Sequence, residues 1–417
     1  MRTEFKFRDV IHGYIKLDEQ EIEIVNSPEY QRLRRIRQLS LTEMVYPGAN
    51  HTRFEHSLGV LQLATEIFDN IIKQEHSREI LGFKNEYDSR IYRLRKIIRL
   101  AALLHDIGHA PFSHTSEELM PFLSKNKKGR KYKHEDYSFA IIKTYFKEYI
   151  EEHKITKGLD ITVNDVTALL GDKEEHPTIN PIIWRSLLSG QLDADRGDYL
   201  LRDSYHLGVN YGLYDRDRFI NYLTIYRAEN NTPRLAILYK GINIAESFII
   251  ARYKMFSQVY FHHVRRILDY HVEQATKTAL KDLGFSDGLL PSPDGDNLKR
   301  YVELDDWSIF GMFKNNKDKC KHTKIILNRK PYKLKGTWDD WDKNAFKDKE
   351  EAKVEKILQN QEGYLDKADT RWYKLGEDDL DIYNPNDGKI YKLSEKSKIV
   401  KTLSDIPKPT RLFLSED

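Results

Sequence analysis

The sequence predicts a mainly α-helical protein, a helical bundle followed by a small α+β C-terminal region. Three observations favour this fold class. Apolar residues recur at helical spacing from residue 56 to residue 71, and residues 97–104 form an almost unbroken apolar run. After about residue 317 the composition turns to Lys, Asp and Glu with scattered aromatic residues. We therefore expect a helical core over residues 1–335 and a small α+β region over residues 336–417.

Composition and charge limit the classes of function that this protein can have. The chain has 417 residues, of which 40% are hydrophobic, so it can bury a large core. Its 68 basic and 65 acidic residues give a net charge of +3, which disfavours a dedicated duplex-DNA-binding protein. The single cysteine, Cys320, excludes a disulfide framework and favours a reducing compartment. No apolar stretch approaches about 18 residues and no signal-peptide core is present, so we expect a cytoplasmic protein without a membrane partner.

The N-terminal elements follow from short local patterns. Residues 5–20 alternate apolar and polar residues around His12 and Gly13, which predicts a short β-ribbon or an extended arm. Ser27 and Pro28 predict a helix start, with Ser27 as the N-cap and Pro28 at the first helical position. The arginines that follow predict a solvated or salt-bridged face, with phosphate binding as the alternative; they are Arg32, Arg34, Arg35 and Arg37.

Elements further along the chain are predicted from composition and periodicity. Residues 124–134 are rich in Lys and Gly and predict a basic loop, either a phosphate lid or a solvated insertion. Two strands are expected at residues 224–227 and 235–239, followed by one long helix over about residues 245–280. The segment 388–414 predicts a strand, a helix and a strand.

The most informative segment is residues 103–114 (LLHDIGHAPFSH), where a His-Asp pair follows the apolar run. His105 and Asp106 are both costly to bury without a partner. A divalent cation removes that cost, because imidazole nitrogen and carboxylate oxygen are ligands of Zn, Fe, Mn and similar metals. His109 and His114 follow on the predicted turn. The alternative is a helix C-terminus that carries His residues because the helix dipole favours them.

Two distant parts of the chain offer candidates to complete this group. His56 lies on the apolar stripe of its helix and faces inward, although a single His on such a stripe is also typical of a core residue. Asp195, Tyr199 and Asp203 are spaced four residues apart and share one helix face. A stripe of two carboxylates and a tyrosine suits the lining of a cavity. Four Asp residues in eleven positions are also typical of an ordinary charged helix.

In chain order these residues form the pattern His, His-Asp, Asp, which resembles the HD-domain metal-dependent phosphohydrolases. Five sequence blocks look more specifically like the deoxynucleoside triphosphate (dNTP) triphosphohydrolases, namely the bacterial dGTPase-like proteins and the sterile-alpha-motif HD-domain dNTPase. The resemblance covers roughly residues 5–335. The blocks are residues 7–14 (FRDVIHGY), 28–39 (PEYQRLRRIRQL), 51–59 (HTRFEHSLG), 103–114 (LLHDIGHAPFSH) and 203–208 (DSYHLG).

The resemblance implies a divalent metal ion, with Mn, Mg, Fe, Zn, Ni and Co all left open. Its ligands would be His56, His105, Asp106 and Asp195. An acid/base cluster is also implied, and it comprises His109, His114, His134 and Glu135. Within it His114 would donate the proton to the leaving group, with Glu117 or Glu135 as the carboxylate that holds that proton.

Contacts to the substrate phosphates and base are implied in the same way. Arg53 matches an Arg that contacts the phosphates, and Arg252 matches an Arg of the triphosphate clamp. Arg196 stands where the family has Lys, which keeps the charge but changes the geometry. Tyr260 matches a base-stacking tyrosine, and Phe256 stands where family members can carry His, a departure that affects one phosphate or base contact.

The resemblance also implies a deoxyribose pocket. Gln38 and Asp203 would bind the 3′-hydroxyl, and Leu39 and Tyr199 would crowd the 2′ position. The implied reaction begins with attack of a metal-activated hydroxide on the α-phosphorus, and it yields a deoxynucleoside and inorganic triphosphate. Two alternatives stay open. One is an HD phosphohydrolase acting on a monophosphate, a cyclic dinucleotide or an alarmone. The other is a non-catalytic nucleotide sensor or single-stranded nucleic-acid binder, which the arginines of residues 32–37 keep open.

Besides the dNTP substrate, the resemblance implies two candidate partners, a second copy of the chain and a regulatory nucleotide. Such cores resemble proteins that form dimers or tetramers, so we expect a homo-oligomer. In relatives that guanine nucleotide activates, an Asp, a Gln and an Arg read the activator base, and this chain has Asn26, Gln31 and Arg34 there. An amide would leave one guanine donor unpaired, at about 1–3 kcal/mol. We therefore predict that GTP is a weak activator or none.

Overall fold

The structure, a computed structural model, describes residues 4–123, 129–173, 182–285, 287–338, 348–367, 379–403 and 409–416. Most of these residues are helical, which confirms the predicted fold class. The α-helices are Glu19–Asn26, Pro28–Gln31, Arg53–Lys73, Glu75–Leu81, Ser89–Leu104, His134–Tyr145, Lys147–Glu151, Lys154–Lys157, Val163–Leu170, Ile182–Ser189, Ala194–Leu207, Arg216–Tyr222, Ile242–Met255, His263–Asp282, Gly295–Val302, Asp306–Asn315, Lys321–Asn328, Asp348–Asn360, Leu393–Lys396 and Lys398–Leu403. Short 3₁₀ helices span Arg32–Arg35, Thr42–Met44, Ser113–Leu119 and Tyr239–Gly241. Among the described residues, none of these helices is long and apolar enough to cross a membrane.

Two long helices, Arg53–Lys73 and Ser89–Leu104, pack against each other at the centre of the bundle. The first begins at a capping box formed by Thr52 and Glu55. The stripe predicted on this helix is confirmed, because all of its members are fully buried: His56, Val60, Leu63, Ile67 and Ile71. The helix Ala194–Leu207 packs on the same helix and brings its acidic residues to the end that carries the His-Asp pair.

The N-terminal β-ribbon is confirmed. Strands Phe5–Asp9 and Gly13–Leu17 pair antiparallel, and Gly13 adopts a φ of +75° in the turn, which glycine accepts without strain. The predicted helix start is also confirmed, because the Ser27 hydroxyl accepts a hydrogen bond from the backbone N–H of Tyr30. That helix is only one turn long and continues as a 3₁₀ turn.

One predicted element is wrong. The expected single helix over residues 245–280 is two helices, Ile242–Met255 and His263–Asp282, separated by a π-helical turn, Phe256–Tyr260. The N–H that follows this turn donates to the carbonyl of its first residue, one residue further back than in an α-helix. The apolar pattern continues through the turn, so periodicity does not reveal the break.

Two small sheets carry most of the strands in the C-terminal half. In spatial order the four-stranded sheet contains Leu223–Arg227, Pro233–Leu238, Asp381–Asn384 and Lys389–Lys392. The three-stranded sheet contains Lys333–Trp338, Thr410–Leu414 and Gly363–Lys367. These strands confirm the predicted pair near residues 224–239 and the C-terminal strand, helix and strand. The division at residues 335 and 336 stays a prediction, and strand Pro233–Leu238 pairs in parallel with Asp381–Asn384 across it.

The predicted basic loop falls partly outside the described residues, which omit residues 124–128. Beyond this gap Arg130 forms a salt bridge of 2.7 Å with Asp136, and the helix His134–Tyr145 follows. The choice between a phosphate lid and a solvated insertion stays open.

Candidate metal centre and nucleotide cavity

The four predicted metal ligands come together where three helices meet. His56 Nε2 lies 3.1 Å from Asp195 Oδ1 and 3.6 Å from Asp106 Oδ2. His105 Nε2 lies 3.4 Å from Asp106 Oδ1 and 4.0 Å from Asp195 Oδ1. The ligand atoms of His56, His105 and Asp195 lie within 4.8 Å of one another although the first and last of these residues are 139 positions apart, and Asp106 lies beside both imidazoles. This is the geometry of a compact cation site.

The residues present fit a divalent metal ion. His105 Nδ1 donates to the carbonyl of Ala102 at 2.8 Å, which leaves the lone pair of its buried Nε2 without a hydrogen-bond partner among the described residues. His56 Nδ1 donates to Asp198 Oδ2 at 2.8 Å, so its Nε2 is likewise directed into the cluster. Imidazole nitrogens and carboxylate oxygens form a donor set typical of Zn, Fe and Mn.

The electrostatics of the cluster also favour a cation. Burial alone would lower the pKa of His56, but the carboxylates of Asp195 and Asp198 outweigh it and raise that pKa to about 10. Burial would raise the pKa of Asp106, yet Arg53 and neighbouring imidazoles hold it well below its ordinary range. These carboxylates are therefore ionised and stabilise positive charge at the point where the imidazoles meet.

A second cluster, adjacent to the first, contains the predicted acid/base residues. Glu117 Oε1 lies 3.0 Å from His114 Nδ1 and 2.6 Å from His134 Nδ1, and the rings of His109 and His134 stack at 3.9 Å. From the sequence, either Glu117 or Glu135 could be the carboxylate partner of His114. In the structure Glu117 is the one that forms the hydrogen bond. In this cluster of His109, His114, Glu117 and His134 the ligand atoms lie within 4.8 Å of one another, so the cluster can share a proton or hold a cation.

The pKa values within this acid/base cluster diverge. Burial lowers the pKa of His109 well below its usual value, and the positive charge of Arg53 adds to this effect. Burial acts in the same direction on His134, but hydrogen bonding to Glu117 outweighs it and raises that pKa. A neutral imidazole and a protonated one can therefore lie side by side, which is the arrangement that proton transfer requires.

A cavity of about 700 Å³ extends from the acid/base cluster to the helix break. It is lined by most of the predicted substrate residues, namely Gln38, Leu39, Arg53, Tyr199, Asp203 and Tyr260, and also by His114 and Phe256. Both oxygens of Asp203 accept hydrogen bonds, one from the Tyr260 hydroxyl at 2.6 Å and one from His51 Nε2 at 2.7 Å. Among the described residues, Arg196 and Arg252 do not line this cavity.

The predicted phosphate-binding arginines have different surroundings. Arg53 is buried, contacts Asp106, and donates to Ser113 Oγ at 2.7 Å, while its Nη2 has no partner among the described residues. Arg196 contacts the carboxylate of Asp193. Arg252 donates to the side-chain oxygen of Gln191 at 3.1 Å.

A second cavity, of about 320 Å³, borders the metal ligands from another side. Its lining includes His105, Asp106 and Asp195, together with the predicted catalytic residues His134 and Glu135. Three cationic side chains, Arg130, Lys133 and Arg185, also line it. The ligand cluster therefore borders this smaller cavity directly. Arg53, which contacts Asp106, and His114 of the acid/base cluster line the larger cavity.

The candidate regulatory residues lie apart from both cavities. Asn26 is exposed, and Gln31 donates to the carbonyl of Val25 at 2.7 Å. Arg34 donates to Gln31 Oε1 at 2.9 Å and stacks on the ring of Phe54 at 3.5 Å. A nucleotide site here stays a prediction.

Two of the other arginines of this segment agree with the salt-bridged interpretation, and Arg32 does not. Arg35 pairs with Asp305, and Arg37 pairs with Glu43. Arg32 is buried and donates to backbone carbonyls.

Sequence reasoning gave no role to several residues of the site. Asp198 accepts from His56, and it also contacts His12 and Arg202. His51 donates to Asp203. His12 and His51 fall within the sequence blocks that carry the family resemblance, but spacing alone does not say which partner each would find.

Comparison with known proteins agrees with this geometry. Residues 53–175 match the HD domain, and residues 214–410 match the HD associated region. The chain is 37% identical over 268 residues to an uncharacterized protein of Methanocaldococcus jannaschii, covering 64% of this chain and 48% of that protein. It is 29% identical over 334 residues to a deoxynucleoside triphosphate triphosphohydrolase homologue of Dictyostelium discoideum, covering 78% and 59%.

The fold of the whole chain has solved counterparts. The crystal structure of a phosphohydrolase from Bacteroides thetaiotaomicron superposes with a TM-score of 0.74 at 26% identity, covering 99% of this chain and 100% of that one. The chain spans about half the length of the curated relatives it matches. The HD domain and the deoxynucleoside triphosphate triphosphohydrolase relatives both match, and the chain therefore belongs to the HD-domain, dNTPase-like family of phosphohydrolases.

Proposed function

We propose that this chain hydrolyses dNTPs to a deoxynucleoside and inorganic triphosphate with the aid of a divalent metal ion. The observation that carries the proposal is a single cavity lined by Arg53, which contacts the candidate ligand Asp106, by His114 of the acid/base cluster, and by the sugar-pocket residues Gln38, Leu39 and Asp203. The similarity to a deoxynucleoside triphosphate triphosphohydrolase homologue supports the same substrate class.

The candidate metal ligands are His56, His105, Asp106 and Asp195. A divalent cation held by them would supply Lewis-acid stabilisation of phosphoryl charge and a hydroxide nucleophile at neutral pH. The protein's own side chains carry out the remaining steps. Arg53, whose Nη2 lacks a partner among the described residues, stabilises charge on the substrate phosphates.

His114 acts as the general acid in this proposal. Glu117 accepts a hydrogen bond from His114 Nδ1, which keeps the imidazole oriented with its Nε2 available to the substrate. The proton on Nε2 is then transferred to the 5′-oxygen as that oxygen leaves the α-phosphorus. General acid catalysis of this kind contributes about 10²–10⁴-fold.

Sugar selection follows from the lining of the same cavity. Asp203 is held by Tyr260 and His51, and it binds the 3′-hydroxyl together with Gln38. Leu39 and Tyr199 occupy the space next to it and exclude a 2′-hydroxyl. The site therefore prefers deoxyribonucleotides.

A second candidate function is phosphohydrolysis of another nucleotide, such as a monophosphate, a cyclic dinucleotide or an alarmone. The second cavity favours it, because Arg130, Lys133 and Arg185 lie beside the candidate metal ligands there. A phosphate group bound in this cavity would reach the same ligand cluster without entering the sugar pocket.

The test is incubation of purified protein with Mn²⁺ and each dNTP, followed by separation of the products. The proposal predicts deoxynucleoside and inorganic triphosphate, little hydrolysis of GTP, and no reaction after chelation of the metal. Release of monophosphate or pyrophosphate, or equal rates on GTP and dGTP, would favour the second candidate.

We further propose a homo-oligomer, a dimer or tetramer, with a regulatory nucleotide at Asn26, Gln31 and Arg34. GTP should activate weakly or not at all, because Asn26 provides one acceptor where a carboxylate provides two. The measurement is dNTP hydrolysis with and without GTP in the wild type and in Asn26→Asp, which should gain activation. Strong activation of the wild type by micromolar GTP would contradict this account.

A further inference from the structure

The turn of the N-terminal β-ribbon reaches into the interior beside the candidate metal centre. The His12 side chain is 0% exposed, and its Nε2 lies 2.7 Å from Asp198 Oδ1. Arg216 Nε donates to His12 Nδ1 at 3.2 Å, so the ring proton is on Nε2 and is donated to Asp198. The turn therefore supplies a hydrogen-bond donor to a buried carboxylate that belongs to a distant helix.

Asp198 connects this turn to the candidate metal ligand His56. Its Oδ2 accepts from His56 Nδ1 at 2.8 Å, the bond that directs His56 Nε2 at the metal centre. Arg202 donates to both oxygens of Asp198, at 2.8 Å and 2.9 Å, and to Asp9 at 2.8 Å. Both His12 and Asp9 come from the ribbon turn, so the turn contributes two of the groups in this network.

The network has no room to rearrange. Gly59 lies one helical turn after His56, and a Cβ atom at this glycine would be 2.0 Å from Asp198 Oδ1 and 2.4 Å from Arg202 Nη2. The carboxylate can approach the helix only because residue 59 has no side chain. Loss of the His12 donor would leave Asp198 Oδ1 with the hydrogen bond from Arg202 alone, at a site that water does not easily reach.

We propose that His12 is a positioning residue for the metal centre, which acts through Asp198 on His56 and so couples docking of the N-terminal ribbon to metal affinity. The inference rests on the proposed role of His56 as a metal ligand. Groups that orient a metal-bound imidazole change metal affinity by about 10–100-fold, and His12 is one step further out, so about 10-fold is expected.

The test is the Mn²⁺ dissociation constant of metal-free full-length protein. His12→Phe keeps the ring volume but removes the donor, and it should raise this constant about 10-fold. His12→Gln keeps an N–H near the position of Nε2 and should restore most of the affinity. Val10→Ala, at an exposed residue of the same turn, is the control and should leave the constant unchanged.

A measurement on the wild type avoids variants that fail to fold. Because coupling is reciprocal, Mn²⁺ should slow amide hydrogen exchange in residues 5–17 but not in the control hairpin, residues 223–238. Unchanged affinity in His12→Phe, or unchanged exchange in residues 5–17 of protein that binds Mn²⁺, would overturn the inference. A wild type that binds no Mn²⁺ would instead overturn the proposed function.

Discussion

Two polar clusters in the helical bundle differ in how completely their hydrogen bonds are satisfied. The ion-pair cluster joins Asp18, Glu21, Lys96 and Arg99. Glu21 is 0% exposed, and it accepts from Lys96 Nζ at 3.0 Å and from Arg99 at 2.7 Å. Lys96 also donates to Asp18 at 2.7 Å. Every charge in this cluster has a partner within the protein. The cluster connects helix Glu19–Asn26 to helix Ser89–Leu104.

The ligand cluster of His56, His105, Asp106 and Asp195 lies in the same bundle, with His56 and Asp106 buried and His105 and Asp195 partly exposed, but it remains incomplete. His105 Nε2 has no partner among the described residues, and the same holds for Nη2 of the adjacent Arg53. This cluster also borders a cavity, whereas the ion-pair cluster lines none of the cavities described above. The difference indicates that burial of charge alone does not mark a functional site. A functional site is instead indicated by polar atoms that converge on one point without hydrogen-bond partners and lie next to a cavity.

The largest expected effect comes from removing the incomplete group itself. His105→Ala should abolish metal binding and hydrolysis together, because His105 supplies one of only four candidate ligands. Folding should change little, since Nε2 makes no hydrogen bond and the side chain loses only the bond from Nδ1 to the Ala102 carbonyl. Elemental analysis beside an activity assay checks this, with Glu21→Gln as a variant that keeps its metal. A metal-free His105→Ala that still hydrolyses dNTPs would contradict the assignment.

The next effect concerns the acid/base cluster. His114→Ala should lower the turnover number by about 10²–10⁴-fold while metal content and the melting temperature stay near wild type, because the side chain of His114 is 62% exposed. Single-turnover kinetics with metal analysis is the measurement. Near-normal turnover would show that His109 or His134 carries the proton instead.

The ion-pair cluster should respond in the opposite way. Glu21→Gln leaves Lys96 and Arg99 short of a buried counter-charge and should lower the free energy of unfolding by about 3–5 kcal/mol, while the turnover number per folded molecule is unchanged. Chemical denaturation beside an activity assay tests this pair of outcomes. A loss of activity without a loss of stability would remove the distinction between the two clusters.

The pH dependence of the same variant provides a control. Burial would raise the pKa of Glu21, but Arg99 and Lys96 hold it well below its ordinary value of 4.5. A folded-state pKa below the unfolded one means that this stabilisation is present above about pH 4.5 and is lost as the pH falls. The stability difference between wild type and Glu21→Gln should therefore shrink in acid.

The smallest effect is expected at the sugar pocket. Leu39→Ala should raise the rate on GTP relative to dGTP by roughly 10-fold, because loss of the branched side chain frees space for the 2′-hydroxyl. Leu41→Ala is the matched control, since Leu41 is buried but does not line this cavity. An equal change in both variants would indicate a general loosening rather than a steric role.

The sequence predicted the members of the ligand cluster but not its supports. His56, His105, Asp106 and Asp195 could be chosen as candidate ligands because the family resemblance implies them, and the structure brings them together. Asp198 lies three residues from Asp195 in the same acidic run, and nothing in that run shows which carboxylate binds the metal and which one orients His56. That distinction depends on the helix crossing angle and on the close approach at Gly59, which are tertiary features.

The ion-pair cluster and the helix break were hidden for similar reasons. Glu21, Lys96 and Arg99 resemble ordinary surface charges in the sequence, because their partners are about 75 residues away along the chain. The π-helical turn at Phe256–Tyr260 keeps the apolar pattern of the surrounding helices, so only the hydrogen-bond pattern reveals it. Element types were therefore predictable, whereas pairings between distant elements were not.

The most direct test of the account is hydrolysis of a dNTP in oxygen-labelled water by protein loaded with Mn²⁺ and by the same protein after chelation. Attack on the α-phosphorus predicts label in the inorganic triphosphate, none in the deoxynucleoside, and no reaction in the chelated sample. Intact dNTP in the presence of bound Mn²⁺, or label in the deoxynucleoside, would contradict the claim that the ligand cluster is a metal-dependent phosphohydrolase centre.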